Sequence, residues 1–308
     1  MTRVAAIDCG TNSIRLLVAD VDPAAGTLVD LDRRMEIVRL GQDVDRTGRL
    51  APEALERTFA ACRRYAEVIA ELGAERVRFV ATSASRDAEN RAEFVAGVHA
   101  LLGVEPEVVT GAAEAELSFA GATRELAGIG AEAPYLVVDI GGGSTEFVLG
   151  TDSVEAAHSV DIGCVRMTER WLRTDPPTAE EIAGATADVD AAISLAAQTV
   201  PFAKARTLVG LAGSVTTVAA VVLDLPAYDA SRIHLSRLAA ADVRAAVRQL
   251  LGATHAERAA LPFMHPGRVD VIGGGALVLD RVLEATGAAE LVVSEHDILD
   301  GIAWSCAR

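Results

Sequence analysis

Asp139-Ile-Gly-Gly-Gly-Ser-Thr-Glu-Phe147 follows the apolar run Tyr135-Leu-Val-Val138, which predicts a strand ending in a tight glycine turn. Gly141, Gly142 and Gly143 lack a Cβ, so the backbone there can approach an oxyanion closely, and Ser144 and Thr145 add hydroxyl donors. Asp139 and Glu146 flank the turn with carboxylates able to hold a cation. Phosphate with a divalent metal fits this combination best. The same grammar stands at the N-terminus, where Val4-Ala-Ala-Ile7 runs into Asp8-Cys-Gly-Thr-Asn-Ser13 and then into a second apolar run, Ile14 to Ala19. Two such hairpins, one near the start of each half, predict a duplicated α/β architecture.

At 308 residues the chain exceeds the usual size of one domain, so two domains are expected, and 51% apolar residues suffice for substantial cores. The formal charge of −16 argues against nucleic acid or an anionic membrane as partner, since such proteins carry a basic face. An anionic ligand therefore needs local arginines and metal. Lys204 is the only lysine, so nearly all positive charge is arginine, which grips phosphate oxygens with two donors at once. Cys9, Cys62, Cys164 and Cys306 are scattered without a C-x-x-C pair, which indicates neither a zinc site nor a disulfide framework. With no basic segment and apolar h-region at the N-terminus, a cytoplasmic protein with reduced cysteines is expected. Thr207 to Leu223 is near the ~17-residue lower limit of a membrane span, but Gly210, Gly213, Ser214, Thr216 and Thr217 interrupt it, so it reads as a buried strand, turn and helix.

Strands are expected near 4–8, 14–20, 28–38 and 77–81, with a helix from Pro52 to Leu72 that carries proline in its first turn. The next helix is placed from near Arg86 across Asn90 to Leu102, then a short strand Glu107 to Val109 and a helix Ala112 to Ala122. Gly128-Ile-Gly130 and Pro134 punctuate the chain, and the domain boundary is set there: 1–126, with 296–308 returning to it, and 127–295. The second half repeats the order with strands near 135–139, 145–149 and 154–160, a short helix after Gly163 and a long one from Thr178 to Gln198. Strand Thr207 to Leu211 leads into Ala212-Gly-Ser-Val-Thr-Thr217, a glycine-hydroxyl turn opening a helix whose N-terminal amides, at Gly213 and Ser214, can also face phosphate. Gly273-Gly-Gly275 reads as a fourth turn, equally suited to close packing or to ligand contact. Leu291 to Val293 is a strand and Asp297 to Ala307 a terminal helix.

Asp8-Cys-Gly-Thr-Asn-Ser-Ile-Arg-Leu-Leu17, Thr82-Ser-Ala-Ser-Arg-Asp-Ala-Glu-Asn90, the Gly111 to Gly121 helix and Asp139-Ile-Gly-Gly-Gly-Ser-Thr-Glu146 occur in one order. So do Gly163-Cys-Val-Arg-Met-Thr-Glu169, Gly213-Ser-Val-Thr-Thr217 and Val293-Ser-Glu-His-Asp-Ile-Leu-Asp-Gly301. The series resembles the exopolyphosphatase/guanosine-pentaphosphate phosphatase family across essentially the whole chain. The resemblance implies a duplicated ribonuclease-H-like fold, the actin-like ATPase superfold, with an active site in the interdomain cleft. It also implies the short two-domain form, without the C-terminal HD-type domain of longer members; His296-Asp297 is read as an incidental HD dipeptide. Dimers are common in that family, so a homodimer is expected by analogy.

Hydrolysis of a phosphoanhydride needs charge neutralisation, an in-line water, and a group to orient or deprotonate it. By resemblance, Thr11, Asn12, Ser13 and Arg15 face the phosphate chain, and Gly141, Gly142, Gly143, Ser144 and Thr145 grip it from the other domain. Arg86 is the candidate for a bidentate phosphate clamp, with an exposed helix-start arginine as the alternative. Glu114 matches the family's general base, although the usual Glu-Glu-Ala stands here as Ala113-Glu114-Ala115-Glu116. Glu116, two residues on and across the helix, is read as solvated surface. Asp8, Asp139 and Glu146 are the expected carboxylates for Mg²⁺, or another divalent cation such as Mn²⁺. Arg166 either adds positive charge toward a polyanion or pairs with Glu169. The six histidines show no paired-ligand spacing and are assigned to core or surface.

The resulting expectation is an exopolyphosphatase, processive or distributive, that removes orthophosphate from the end of inorganic polyphosphate. Guanosine pentaphosphate 5′-phosphohydrolysis uses the same machinery and is the alternative, with guanosine penta- or tetraphosphate as substrate or regulator. A kinase of the same superfold requires an adenosine pocket around Gly213 and Gly273, and a non-catalytic polyphosphate or alarmone sensor is left open by the altered Ala113-Glu114 pair.

Overall fold

The structure, a computed structural model, describes residues Met1–Ala307. It divides into two units, one formed by Met1–Gly121 with the chain from Ile298 on, the other by Ala122–Asp297. The first boundary thus lies at Gly121/Ala122 rather than after residue 126. The reason is local bonding: the 3-10 turn Leu126–Ile129 accepts from Arg237 through the Ile129 carbonyl, and Glu125 contacts His234. The return likewise begins at Ile298, because the His296 backbone is tied to Ser294.

Elements are numbered in chain order. In the first unit β1 (Thr2–Cys9), β2 (Ser13–Asp22) and β3 (Thr27–Ile37) form an antiparallel meander, and β4 (Arg76–Ala81) and β5 (Glu107–Val108) join in parallel, giving the order β3-β2-β1-β4-β5. The period of two sorts side chains to opposite faces. Ala5, Ile7 and Cys9 of β1 with Ile14, Leu16 and Val18 of β2 enter one core; Val4 and Ala6 with Leu17, Ala19 and Val21 enter the other. The first core is covered by α2 (Pro52–Leu72) and α4 (Arg91–Leu102), and its smaller neighbours are α1 (Val44–Thr47) and α3 (Ser83–Asp87). Pro52 opens α2, and Gly73 closes it at φ 67°, a conformation that favours glycine. The second core is closed by α5 (Gly111–Ala122) and by the terminal helix Ile298–Cys306, whose buried Asp300 is held by Arg33 of β3 at 2.5 Å. Edge strand β3 is mostly exposed and carries Asp30, Asp32, Arg33 and Arg34, charges that discourage pairing with a further strand.

In the second unit β6 (Tyr135–Ile140), β7 (Thr145–Gly150) and β8 (Val154–Val160) repeat the meander, and β9 (Thr207–Leu211) and β11 (Glu290–Val293) add in parallel. The three-residue β10 (Arg237–Ala239) lies antiparallel on β11, so the sheet reads β8-β7-β6-β9-β11-β10. Apart from β10 this is the order of the first unit, the duplicated ribonuclease-H-like arrangement. Strand β6 is buried throughout, as a central strand covered on both faces requires. Leu136, Val138, Ile140, Phe147 and Leu149 turn to the main core with α7 (Ala179–Thr199), α8 (Ala212–Val222), α10 (Ala240–Gly252) and α12 (Ile272–Thr286). α6 (Cys164–Trp171), α9 (Ala230–Ile233) and α11 (His255–Ala259) complete the unit, and the terminal helix is α13.

Three expectations differ from what forms. Residues 86–102 make two helices, because Ala88 is extended (φ −87°, ψ 131°) and breaks the chain between α3 and α4. Gly273-Gly-Gly275 is no separate turn but the start of α12, where a Cβ on Gly274 would meet the Cys164 carbonyl at 2.6 Å and one on Gly275 the Ser214 hydroxyl at 2.1 Å. Close packing is therefore its role. The span between Leu223 and Val269, to which the sequence assigned no element, holds α9, β10, α10 and α11. Among the described residues, no helix is long and apolar enough to cross a membrane.

Candidate active site

Both hairpins close by the same bond: Gly10 N–H donates to the Ser13 carbonyl at 2.9 Å, and Gly141 N–H to the Ser144 carbonyl at 3.0 Å. The register then places Asp8 opposite Arg15 and Asp139 opposite Glu146. One duplicated position is thus an acid–base pair in the first unit and an acid–acid pair in the second. Arg15 donates Nε and Nη2 to the same oxygen of Asp8, Oδ2, at 2.9 and 2.7 Å. Asp139 and Glu146 are both buried, and Glu146 Oε1 accepts from the Ser159 hydroxyl at 2.7 Å.

The glycine loop of the second unit is held from one side only. Cys164 N–H donates to the Gly141 carbonyl at 2.9 Å, Val165 and Arg166 N–H to Gly142 at 2.9 and 3.2 Å, and Gly163 N–H to Gly143 at 3.2 Å. Arg166 Nε adds a bond to the Gly143 carbonyl at 2.8 Å. The unpaired amides at the start of α6, which every helix must satisfy somehow, are thereby used on the loop. In a planar trans peptide the C=O and the following N–H point in opposite directions. With the carbonyls of Gly141, Gly142 and Gly143 turned to α6, the N–H groups of Gly142, Gly143 and Ser144 turn away from it, and among the described residues none of the three donates to a protein group. Successive outward amides of this kind make a concavity chemically suited to an anion. Thr145 of the predicted set donates instead to the Ile162 carbonyl at 2.7 Å and anchors the loop from below.

The first hairpin is braced similarly by a different segment. Val38 and Arg39 N–H donate to the Asn12 carbonyl and Gly41 N–H to that of Thr11, at 3.1, 2.8 and 2.8 Å. The Thr11 hydroxyl is buried against that of Ser83 at 2.9 Å, while Asn12 and Ser13 are half-buried. Ser83 belongs to α3, whose last turn carries Arg86. Arg86 Nη1 donates to the Val109 carbonyl at 3.1 Å and to Glu114 Oε2 at 3.2 Å. One edge of the guanidinium thus positions Glu114, while Nε on the other lies 4.0 Å from Asp87 Oδ1, and among the described residues neither Nε nor Nη2 makes a hydrogen bond to a protein group. Glu114 is buried in the first turn of α5, whereas Glu116 is exposed.

Gly213 and Ser214 are placed differently from the expectation. Ser214 is buried on Cys164 and Gly275, on the side of the loop to which its carbonyls point. The space a Gly213 side chain would fill holds the Arg268 guanidinium, which donates through Nη1 to the Gly213 carbonyl at 2.8 Å and to the Thr217 hydroxyl at 3.1 Å. Arg268 was invisible in the sequence because no motif surrounds it. Arg166 does reach an acid, Asp161 at 3.8 Å, besides bracing the loop. Burial pushes the thiols of Cys9 and Cys164 up, which leaves both as poor nucleophiles beside the two hairpins.

A model of the Ppx/GppA phosphatase family matches residues 17–307. Exopolyphosphatase 2 of Mycobacterium tuberculosis is 55% identical over 318 aligned residues that span 100% of this chain and 99% of that protein. Among solved structures, an exopolyphosphatase-like protein is similar at TM-score 0.94 and 48% identity over 98% of each chain. The Aquifex aeolicus PPX-GPPA enzyme is similar at TM-score 0.80 and 32% identity over 99% of each. Two units of one topology, each with a glycine-hydroxyl hairpin after its central strand, define a duplicated protein of the actin-like ATPase superfold. Within that class the chain belongs to the Ppx/GppA phosphatase family.

Proposed function

We propose that this chain is an exopolyphosphatase: water attacks the terminal phosphorus of inorganic polyphosphate, orthophosphate departs, and the polymer is one unit shorter. The observation that carries the reading is the row of three outward N–H groups at Gly142, Gly143 and Ser144, held by the backbone bonds from α6. Such donors need no reorganisation when charge develops on the transferred phosphoryl group. In this reading Glu114 orients the attacking water and takes its proton. Arg86 fixes Glu114 with one edge and meets phosphate oxygens with the other. The Asp8–Arg15 pair presents Arg15, with Thr11, Asn12 and Ser13, to the phosphate chain. Ser214 packs on Cys164, whose N–H braces the glycine loop.

The carboxylates of the second unit fit a divalent cation. Asp139 and Glu146 are buried and directly opposite on neighbouring strands, so their carboxylate oxygens come from one place in the sheet. A hard ion with oxygen ligands, Mg²⁺ or Mn²⁺, suits the pair, and when bound it would neutralise phosphate charge. Asp8 joins this set less directly, since Arg15 occupies its Oδ2. Guanosine pentaphosphate ends in the same phosphoanhydride, so the same residues serve it as a second substrate or regulator. Four free thiols, three of them buried, suit a reducing cytoplasm, and a homodimer is carried over from the family by analogy.

The test is orthophosphate release with Mg²⁺ from short polyphosphate, long polyphosphate and guanosine pentaphosphate, by the wild type and Glu114→Gln. Polyphosphate turnover that falls about 10²- to 10⁴-fold in the variant, with binding retained, supports the proposal. Turnover of the nucleotide alone would replace it with the pentaphosphatase reading, and tight binding without turnover would leave a sensor.

A further inference from the structure

Three segments far apart in sequence bring Glu125, His234 and His296 together in the second unit. His234 Nε2 lies 2.6 Å from Glu125 Oε2, His296 Nδ1 lies 3.4 Å from the same oxygen, and the two imidazole rings are 4.3 Å apart between centroids. We propose that these three residues bind one Zn²⁺ ion, at a site separate from the Asp139–Glu146 carboxylates.

The donor set selects the metal. Two imidazole nitrogens and one carboxylate oxygen suit Zn²⁺, whereas Mg²⁺ prefers oxygen ligands alone. The three ligand atoms lie within 4.8 Å of one another. A tetrahedral Zn²⁺ with bonds of about 2.0–2.2 Å separates its ligand atoms by roughly 3.3 Å. The His296–Glu125 separation meets that value, and the His234–Glu125 contact has to open by only about 0.7 Å. Three protein ligands leave the fourth position to water, and the half-exposed Glu125 side chain provides the entry from solvent.

Both histidines are held in place by the backbone around them. Leu235, next to His234, donates its N–H to the Val293 carbonyl at 2.7 Å, and Val293 N–H returns a bond to Ser236 at 3.0 Å. The Ser294 hydroxyl accepts from His296 N–H and donates to its carbonyl, at 3.1 and 2.8 Å. Glu125 directly precedes the fully buried Leu126. His234 Nδ1 accepts from Glu295 N–H at 3.2 Å, so Nε2 carries the ring proton and donates it to Glu125. On loading, the Nε2 lone pair goes to the metal and the ring is protonated at Nδ1 instead, so its charge is unchanged. Nδ1–H and the Glu295 N–H are then both donors, so the Glu295 peptide has to turn away and its 3.2 Å bond is broken.

The experiment uses the full-length protein stripped of metal, titrated with Zn²⁺ in excess Mg²⁺ against a chromogenic chelator, and with Co²⁺ as a spectroscopic probe. The wild type is expected to take up one Zn²⁺ and to give intense, tetrahedral-type Co²⁺ absorption. His234→Gln, His296→Gln and Glu125→Gln should each weaken that site at least about tenfold and dim the Co²⁺ bands. No Zn²⁺ uptake by the wild type, or uptake and Co²⁺ spectra unchanged in the variants, overturns the proposal. Glu125→Gln alters a half-exposed side chain and keeps the result readable if a histidine variant does not fold; circular dichroism checks each.

Discussion

Replacing Gly163 by alanine tests whether the brace under the glycine loop positions the phosphate donors. Gly163 has φ −91° and ψ 165°, a conformation open to any residue, so the substitution acts through space alone. An added Cβ would stand 2.2 Å from the carbonyl carbon and oxygen of Gly142 and 2.4 Å from the Gly143 nitrogen, whereas ordinary contact begins at 3.4 Å. The neighbours are backbone atoms with no rotamer to escape into, so the loop and α6 must separate by more than about 1 Å. That shift strains the bonds from Gly163, Cys164, Val165 and Arg166 that turn the loop carbonyls inward. Overpacking of this kind costs about 1–3 kcal/mol of stability, and a displacement of about 1 Å at a catalytic site costs on the order of 10²-fold in rate. Orthophosphate release from polyphosphate should therefore show kcat/KM reduced about 100-fold. Gly252→Ala is the control, since a Cβ there meets nothing within 4 Å. A folded Gly163→Ala protein with kcat/KM within about threefold of wild type would refute the reasoning.

Gly301→Ala should loosen α13 from α5, because its Cβ would lie 2.0 Å from the Leu117 carbonyl oxygen. A loss of about 1–3 kcal/mol is expected, visible as a Tm lower by several degrees in calorimetry, and kcat should fall with it because α5 carries Glu114. An unchanged Tm would show that the two helices are not packed this closely. The capping box of α7 predicts an acid-side effect: the Thr174 hydroxyl, then the Thr178 N–H, hold the Glu181 carboxyl below its ordinary 4.5. A depressed carboxyl contributes stability fully above that pH and loses it as pH falls through the folded-state pKa. The wild type should thus exceed Glu181→Gln in urea unfolding at neutral pH, with the gap closing below 4.5. A gap of equal size at both would exclude this origin.

What was legible in the chain was what is local. Apolar runs bounded by glycine and hydroxyl residues marked β1, β2, β6 and β7, and Pro52 marked the start of α2. Even the partner of Asp8 was within reach, since a hairpin closed between Gly10 and Ser13 pairs position 8 with 15, as Gly141 and Ser144 pair 139 with 146. The candidate residues Glu114 and Arg86 were named on a resemblance, but their contact joins α3 to α5, 28 positions apart, and no periodicity reports it.

By itself the sequence determined the repeated succession of strands and helices and the two hairpins, because apolar runs and the glycine turns act over a few neighbouring residues. Tertiary structure alone decided which way the loop peptides face, since that depends on α6 amides arriving from some twenty residues away. It also decided that Arg268 covers Gly213, that Gly273 to Gly275 pack inside a helix, and that His234 and His296 meet at Glu125. Each of these is a contact between distant segments, set by how whole elements pack and not by the residues on either side.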